Sequence, residues 1–182
     1  MTEFQDIPPE FSRPFAIDDI GPNGSLVELE ADAEERRRLA ERFDLLALDR
    51  LVAQLVLTRG ASGIPIRVSG RLEASVVQRC VATLEPVASE IREAVEAEYG
   101  PASDEGPEEV IHFDQPDPPE PLEGDSIELG ELVAQHLSVS LDPYPRKQGT
   151  EPLDWVEPAR TEGGIDPDNP FAVLAPLSKK RP

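Results

Sequence analysis

The stretch Ile64-Pro65-Ile66-Arg67-Val68-Ser69-Gly70-Arg71-Leu72-Glu73-Ala74-Ser75-Val76-Val77-Gln78-Arg79-Cys80 decides the fold. Its even positions, Ile64, Ile66, Val68, Gly70, Leu72, Ala74, Val76, Gln78 and Cys80, are mostly apolar or small. Arg67, Ser69, Arg71, Glu73 and Ser75 fill the odd ones. A period of two over this length predicts a strand with one covered and one wet face, which is the pattern of an antiparallel sheet. Just upstream, Leu51, Ala53, Leu55 and Leu57 alternate with Arg50, Gln54 and Thr58, giving a second strand. Arg59-Gly60-Ala61-Ser62-Gly63 between them reads as the turn.

Working outward, Phe11, Phe15 and Ile17, then Gly21-Pro22-Asn23-Gly24, then Leu26, Val27 and Leu29 predict a strand–turn–strand unit. Asp32 with Glu35 three positions on resembles a capping box. Behind it Leu39, Phe43 and Leu46 recur at helical spacing while Arg36, Arg37, Arg38 and Arg42 are left to solvent, so a helix is expected from about Ala33 to Phe43. Asp125 or Ser126 is expected to cap a second helix with the stripe Leu129, Leu132, Val133 and Leu137, stopped by Asp142-Pro143-Tyr144-Pro145. Residues 84–99 read two ways. Leu84, Val87, Ile91, Val95 and Tyr99 fit a helical stripe, which periodicity slightly favours, yet Val87, Ile91, Val95 and Tyr99 also share one face of a strand. The fold class is α+β: a small antiparallel sheet with two or three helices packed on it, in a single domain over 1–182. An acidic Pro-rich loop is expected at 100–125 and an extended C-terminal segment over 143–182.

Composition narrows the function. The 182 residues carry a net charge of −20, and from Glu93 to Pro145 fifteen acids stand without a single Lys or Arg. A nucleic-acid binder normally shows a basic patch, because neutralised phosphates supply most of its affinity. RNA contact is therefore expected to be indirect or weak, and a basic ribosomal or assembly protein is the fitting kind of partner. Pro, at 20 residues, is about twice its usual share. The single cysteine rules out an internal disulfide and a thiolate-rich metal cage within one chain. No apolar run of spanning length occurs, and Met1-Thr2-Glu3-Phe4-Gln5-Asp6 has neither a basic nor an apolar leader region, so a cytoplasmic location is expected.

No catalytic constellation emerges. Cys80 lies within the strand pattern and reads as a buried small hydrophobe; neither His112 nor His136 is placed near it as a base. Carboxylate pairs are too common in so acidic a chain to single one out. No metal or cofactor is expected. The tail stands out instead: Asp168-Asn169-Pro170-Phe171-Ala172-Val173-Leu174-Ala175-Pro176-Leu177 is an apolar run closed by Lys179, Lys180 and Arg181. Chain ends are polar unless something ties them down. Asn169, Pro170, Phe171, Ala172, Val173 and Leu174 are thus expected to dock on the body or on a partner.

Four stretches in this order resemble the YceD family, domain of unknown function 177. They are Leu29-Glu30-Ala31-Asp32 to Phe43, Val68 to Cys80, Ile127 to Pro145, and Asn169-Pro170-Phe171-Ala172-Val173-Leu174. The resemblance implies a non-enzymatic role in 23S ribosomal RNA accumulation and large-subunit assembly, and it tips residues 84–99 toward a strand pairing on 64–80. Many relatives carry a Cys pair at the position of Gln78, Arg79 and Cys80, with further Cys or His beyond the Pro-rich stop. Here Val77 and Arg146-Lys147-Gln148 stand instead, so no metal is expected there. Charge alone also admits an acidic adaptor unrelated to ribosomes.

Overall fold

The computed structural model describes residues 9–101, 119–122 and 124–149, all within the unit Met1–Thr150. The C-terminal tail and most of the acidic loop lie outside the described residues. A five-stranded sheet runs in the order β2 (Ser25–Glu30), β3 (Ala47–Arg59), β4 (Ile66–Arg79), β5 (Pro86–Gly100), β6 (Glu120–Pro121). It is antiparallel except at β5–β6, where Tyr99 and Gly100 pair in parallel with Glu120 and Pro121, so a short strand sits inside the stretch read as loop. A separate two-stranded ribbon joins β1 (Pro14–Ala16) to β7 (Ser126–Glu128). The helices are α1 (Ala33–Arg42) and α2 (Leu129–Ser140).

The alternation in β4 holds throughout. Ile66, Val68, Leu72, Ala74 and Val76 are buried, and Arg67, Ser69 and Arg71 are exposed; Cys80, just past the strand, is buried too, while Ile64, ahead of it, is exposed rather than covered. In β3, Leu51, Ala53, Leu55 and Leu57 are buried as expected, and Leu48 joins them three residues away from Leu51. The cause is a register shift between Leu48 and Arg50, where Leu48 faces Val76 and Arg50 faces Ser75. One extra residue in a strand restarts its alternation.

The helical alternative for residues 84–99 is overturned. Pro86 to Tyr99 pair one by one with β4, Ile91 opposite Ala74 and Val95 opposite Gly70. Leu84 drops out of the apolar set and lies exposed in the turn before the strand. The strand–turn–strand expectation near the N-terminus is half right. Both strands form, but β1 pairs with β7 and β2 with β3, so they are not a hairpin.

The capping box of α1 is present: Asp32 Oδ1 accepts from the N–H groups of Glu34 and Glu35, each at 2.8 Å, and Glu35 Oε2 accepts from Asp32 N–H at 2.8 Å. Leu39 is buried and Phe43 half-buried. Leu46 is exposed, because the helix stops at Arg42 and Asp44 takes a left-handed φ of 52°. The arginines of α1 are not simply left to solvent. Arg42 spans two acids, Glu10 at 2.8 Å and Glu131 at 2.8 Å, and so ties α1 to α2. The Glu35 carboxylate also takes the Arg13 guanidinium on both oxygens, at 2.7 and 2.9 Å.

Neither Asp125 nor Ser126 caps α2. Ser126 is drawn into the β1–β7 ribbon, opposite Ala16, and Glu128 becomes the cap position without a side-chain cap bond. Its carboxylate is already engaged, accepting from Arg13 N–H and from Ser12 Oγ–H. With α1 on β3 and α2 on β4, β5 and β1, the helices cover the apolar face of the sheet.

Candidate functional site

The fold brings two segments together at the end of β4. After α2, Pro143 and Pro145 bar further helix, and Tyr144 N–H donates to Asp142 Oδ1 at 2.9 Å in a local turn. The chain then runs beside the β4–β5 turn. Val81 N–H donates to Pro145 O at 2.9 Å, and Gln78 Nε2–H donates to Asp142 O at 2.9 Å. Lys147 closes the contact twice, its N–H on Cys80 Sγ at 3.5 Å and its ammonium on Glu85 at 3.0 Å. Of the sequence-stretch residues Gln78, Arg79 and Cys80, the first and third therefore face the post-α2 segment, while Arg79 is exposed. Of their partners, Lys147 is indicated only by the resemblance, which sets it beyond the Pro-rich stop, and Thr83 and Glu85 carry no sequence signal, since nothing local shows that residues 80 and 147 meet.

Cys80 is more than a small hydrophobe. It is wholly buried, yet its sulfur takes N–H groups from Thr83, at 3.4 Å, and Lys147. The Thr83 hydroxyl, followed by the Lys147 and Thr83 N–H groups, pulls the thiol down to about 6 against the opposing effect of burial. These donors favour the thiolate form of a sulfur that is kept from solvent, and through it Cys80 knits the two loops together. Its thiol is depressed relative to the ordinary value of 9.0, so its stabilisation is complete above about pH 9 and fades as pH falls toward 6. Cys80→Ser should therefore lose more melting temperature relative to wild type at pH 9 than at pH 6. A gap that is flat with pH would show the thiolate to be irrelevant.

Among the described residues no group of three or more His, Cys, Asp and Glu is arranged for a metal. Another open surface, on the far face of the sheet, is a concavity of about 450 Å³ whose lining includes Glu28, Glu30, Arg50, Gln54, Arg71 and Glu73. Its polar groups satisfy one another: Gln54 donates to Glu28 at 2.9 Å, Arg71 donates to Gln54 at 3.1 Å, and Arg50 pairs with Glu73 at 2.8 Å. An exposed ion pair such as Arg50–Glu73 stabilises by about 0–1 kcal/mol, and with Glu30 also in the lining the acids outnumber the arginines by one. We read that face as solvated surface. The tail residues Asn169, Pro170, Phe171, Ala172, Val173 and Leu174 lie outside the described residues.

Compared with known proteins, residues 68–178 match the family described as large ribosomal RNA subunit accumulation protein YceD. The matched range starts inside β4 and takes in β5 and α2; the Leu29–Phe43 stretch precedes it. No curated protein and no solved structure matches the chain.

Proposed function

The chain belongs to the YceD family of large ribosomal RNA subunit accumulation proteins, and on that premise we propose that it supports accumulation of 23S ribosomal RNA and assembly of the large ribosomal subunit through a protein partner, without catalysing a reaction. The family match over residues 68–178 carries this reading. The net charge of −20 supports the indirect route, since phosphates are repelled while a basic ribosomal or assembly protein is drawn in. In this reading the tail residues Asn169 to Leu174 form a second partner contact, and the protein works in the cytoplasm, where the subunit is built.

Deletion of the gene should lower mature 23S RNA, raise its precursor and shrink the large-subunit peak in a gradient. An unchanged profile would refute the role. The purified chain should show no sub-micromolar affinity for 23S fragments in filter binding at moderate salt, and tight binding there would overturn the indirect route.

A further inference from the structure

Three apolar side chains stand in water where the Cys80 turn meets the post-α2 segment. Val81 is 47%, Leu84 66% and Tyr144 72% exposed. The bond from Val81 to Pro145 holds the two loops side by side. Leu84 is disfavoured on two counts. Its φ of 62° lies in the left-handed region, where Asn or Gly rests at lower cost than a branched residue. Its side chain, which would gain from burial, is left in solvent. A residue that folding disfavours both in backbone and in side chain points to a contact made outside the described residues.

The surroundings state what that contact is made of. Arg79 and Arg146 are exposed on the same two segments, Arg79 next to Cys80 and Arg146 between Pro145 and Lys147. Neither joins an ion pair among the described residues, in a chain with 37 acids against 17 Lys and Arg. An aromatic ring and arginines around an apolar centre is the composition of a protein-interface hot spot. The rest of the surface, being acidic, opposes a nucleic acid.

We infer that this knuckle docks a protein segment that presents an apolar side chain flanked by carboxylates. The apolar group settles on Leu84 between Val81 and Tyr144, and the carboxylates meet Arg79 and Arg146. The inference rests on the assembly-factor reading. The long-range field draws a basic partner, and the knuckle selects which of its segments binds.

The test has two arms, both on the full chain. In the first, labelled protein is titrated with the peptide Asp-Glu-Leu-Phe-Glu-Asp, with its lysine counterpart Lys-Lys-Leu-Phe-Lys-Lys, and with a uridine hexanucleotide. The acidic peptide should shift the amide signals of residues 79–85 and 142–147, and Leu84→Asn should weaken it roughly tenfold, the scale of one lost hot-spot contact. Stronger shifts from the lysine peptide or the nucleotide, concentration-dependent self-association through the same residues, or no shift there at all, each overturn the inference. In the second arm Leu84→Asn and the double variant Arg79→Glu/Arg146→Glu are returned to the deletion strain. Leu84→Asn should hold or raise the melting temperature by a few degrees, because Asn suits the left-handed position, while 23S RNA stays at the deletion level. Full restoration by both variants overturns the docking surface. If deletion itself leaves 23S RNA unchanged, the assembly role fails, and the peptide titration alone decides the knuckle.

Discussion

Gly70→Ala is expected to lower the melting temperature by roughly 6–12 °C, from a loss of about 3 kcal/mol. Gly70 lies in the middle of β4, between Leu55 of β3 and Val95 of β5 on the covered face. A Cβ built there would overlap Gln54 O and stand 2.9 Å from Leu55 Cα. Both are backbone atoms of the neighbouring strand, so no side chain can swing aside, and β3 itself must move. Replacing Gly by Ala in a strand ordinarily gains about 0.5–1 kcal/mol of chain entropy, which is too little to offset that shift. Because β3 and β4 pair along almost their full length, the displacement spreads along the ladder. Thermal unfolding followed by circular dichroism decides the matter. A variant as stable as wild type would mean that the strands do not approach this closely.

Gly130→Ala should cost a comparable amount by a different route. Gly130 is in the first turn of α2, and its added Cβ would overlap Phe11 O and fall 3.0 Å from Arg13 N. Phe11 is buried, and Arg13 donates two side-chain hydrogen bonds to the Glu35 carboxylate and its backbone N–H to Glu128. Pushing α2 off this segment therefore loosens the N-terminal strand from both helices at once. A loss of about 2–3 kcal/mol is expected in urea unfolding. Hydrogen exchange should speed up first in residues 11–17 and 126–133, and exchange confined to other regions would argue against the mechanism.

The two glycines mark the boundary of what a sequence reveals. Neither has a left-handed φ, and each stands inside an ordinary strand or helix pattern. What makes them necessary is a backbone that belongs to a different element. The same holds for the region read as either helix or strand. Val87, Ile91, Val95 and Tyr99, spaced by four, satisfy both periods, and only pairing along fourteen residues of β4 selects the strand. Ser126 was misjudged as a cap because the ribbon with β1 lies 110 residues away along the chain (Ala16 to Ser126). The meeting of Cys80 with Lys147 is equally remote, and with it the candidate site.

By itself the sequence determined what nearest neighbours along the chain control. Strict alternation set the faces of β4 and of most of β3, and Asp32 with Glu35 set the start of α1. The net charge of −20 set the sign of the long-range field, because a field sums over residues wherever they sit. Tertiary structure alone decided the rest: that β1 leaves β2 for β7, where glycine must let two backbones touch, and that the turn carrying an exposed left-handed Leu84 meets the segment after α2. Those outcomes depend on atoms brought together across long stretches of chain, and side-chain type and local spacing carry no record of such distances.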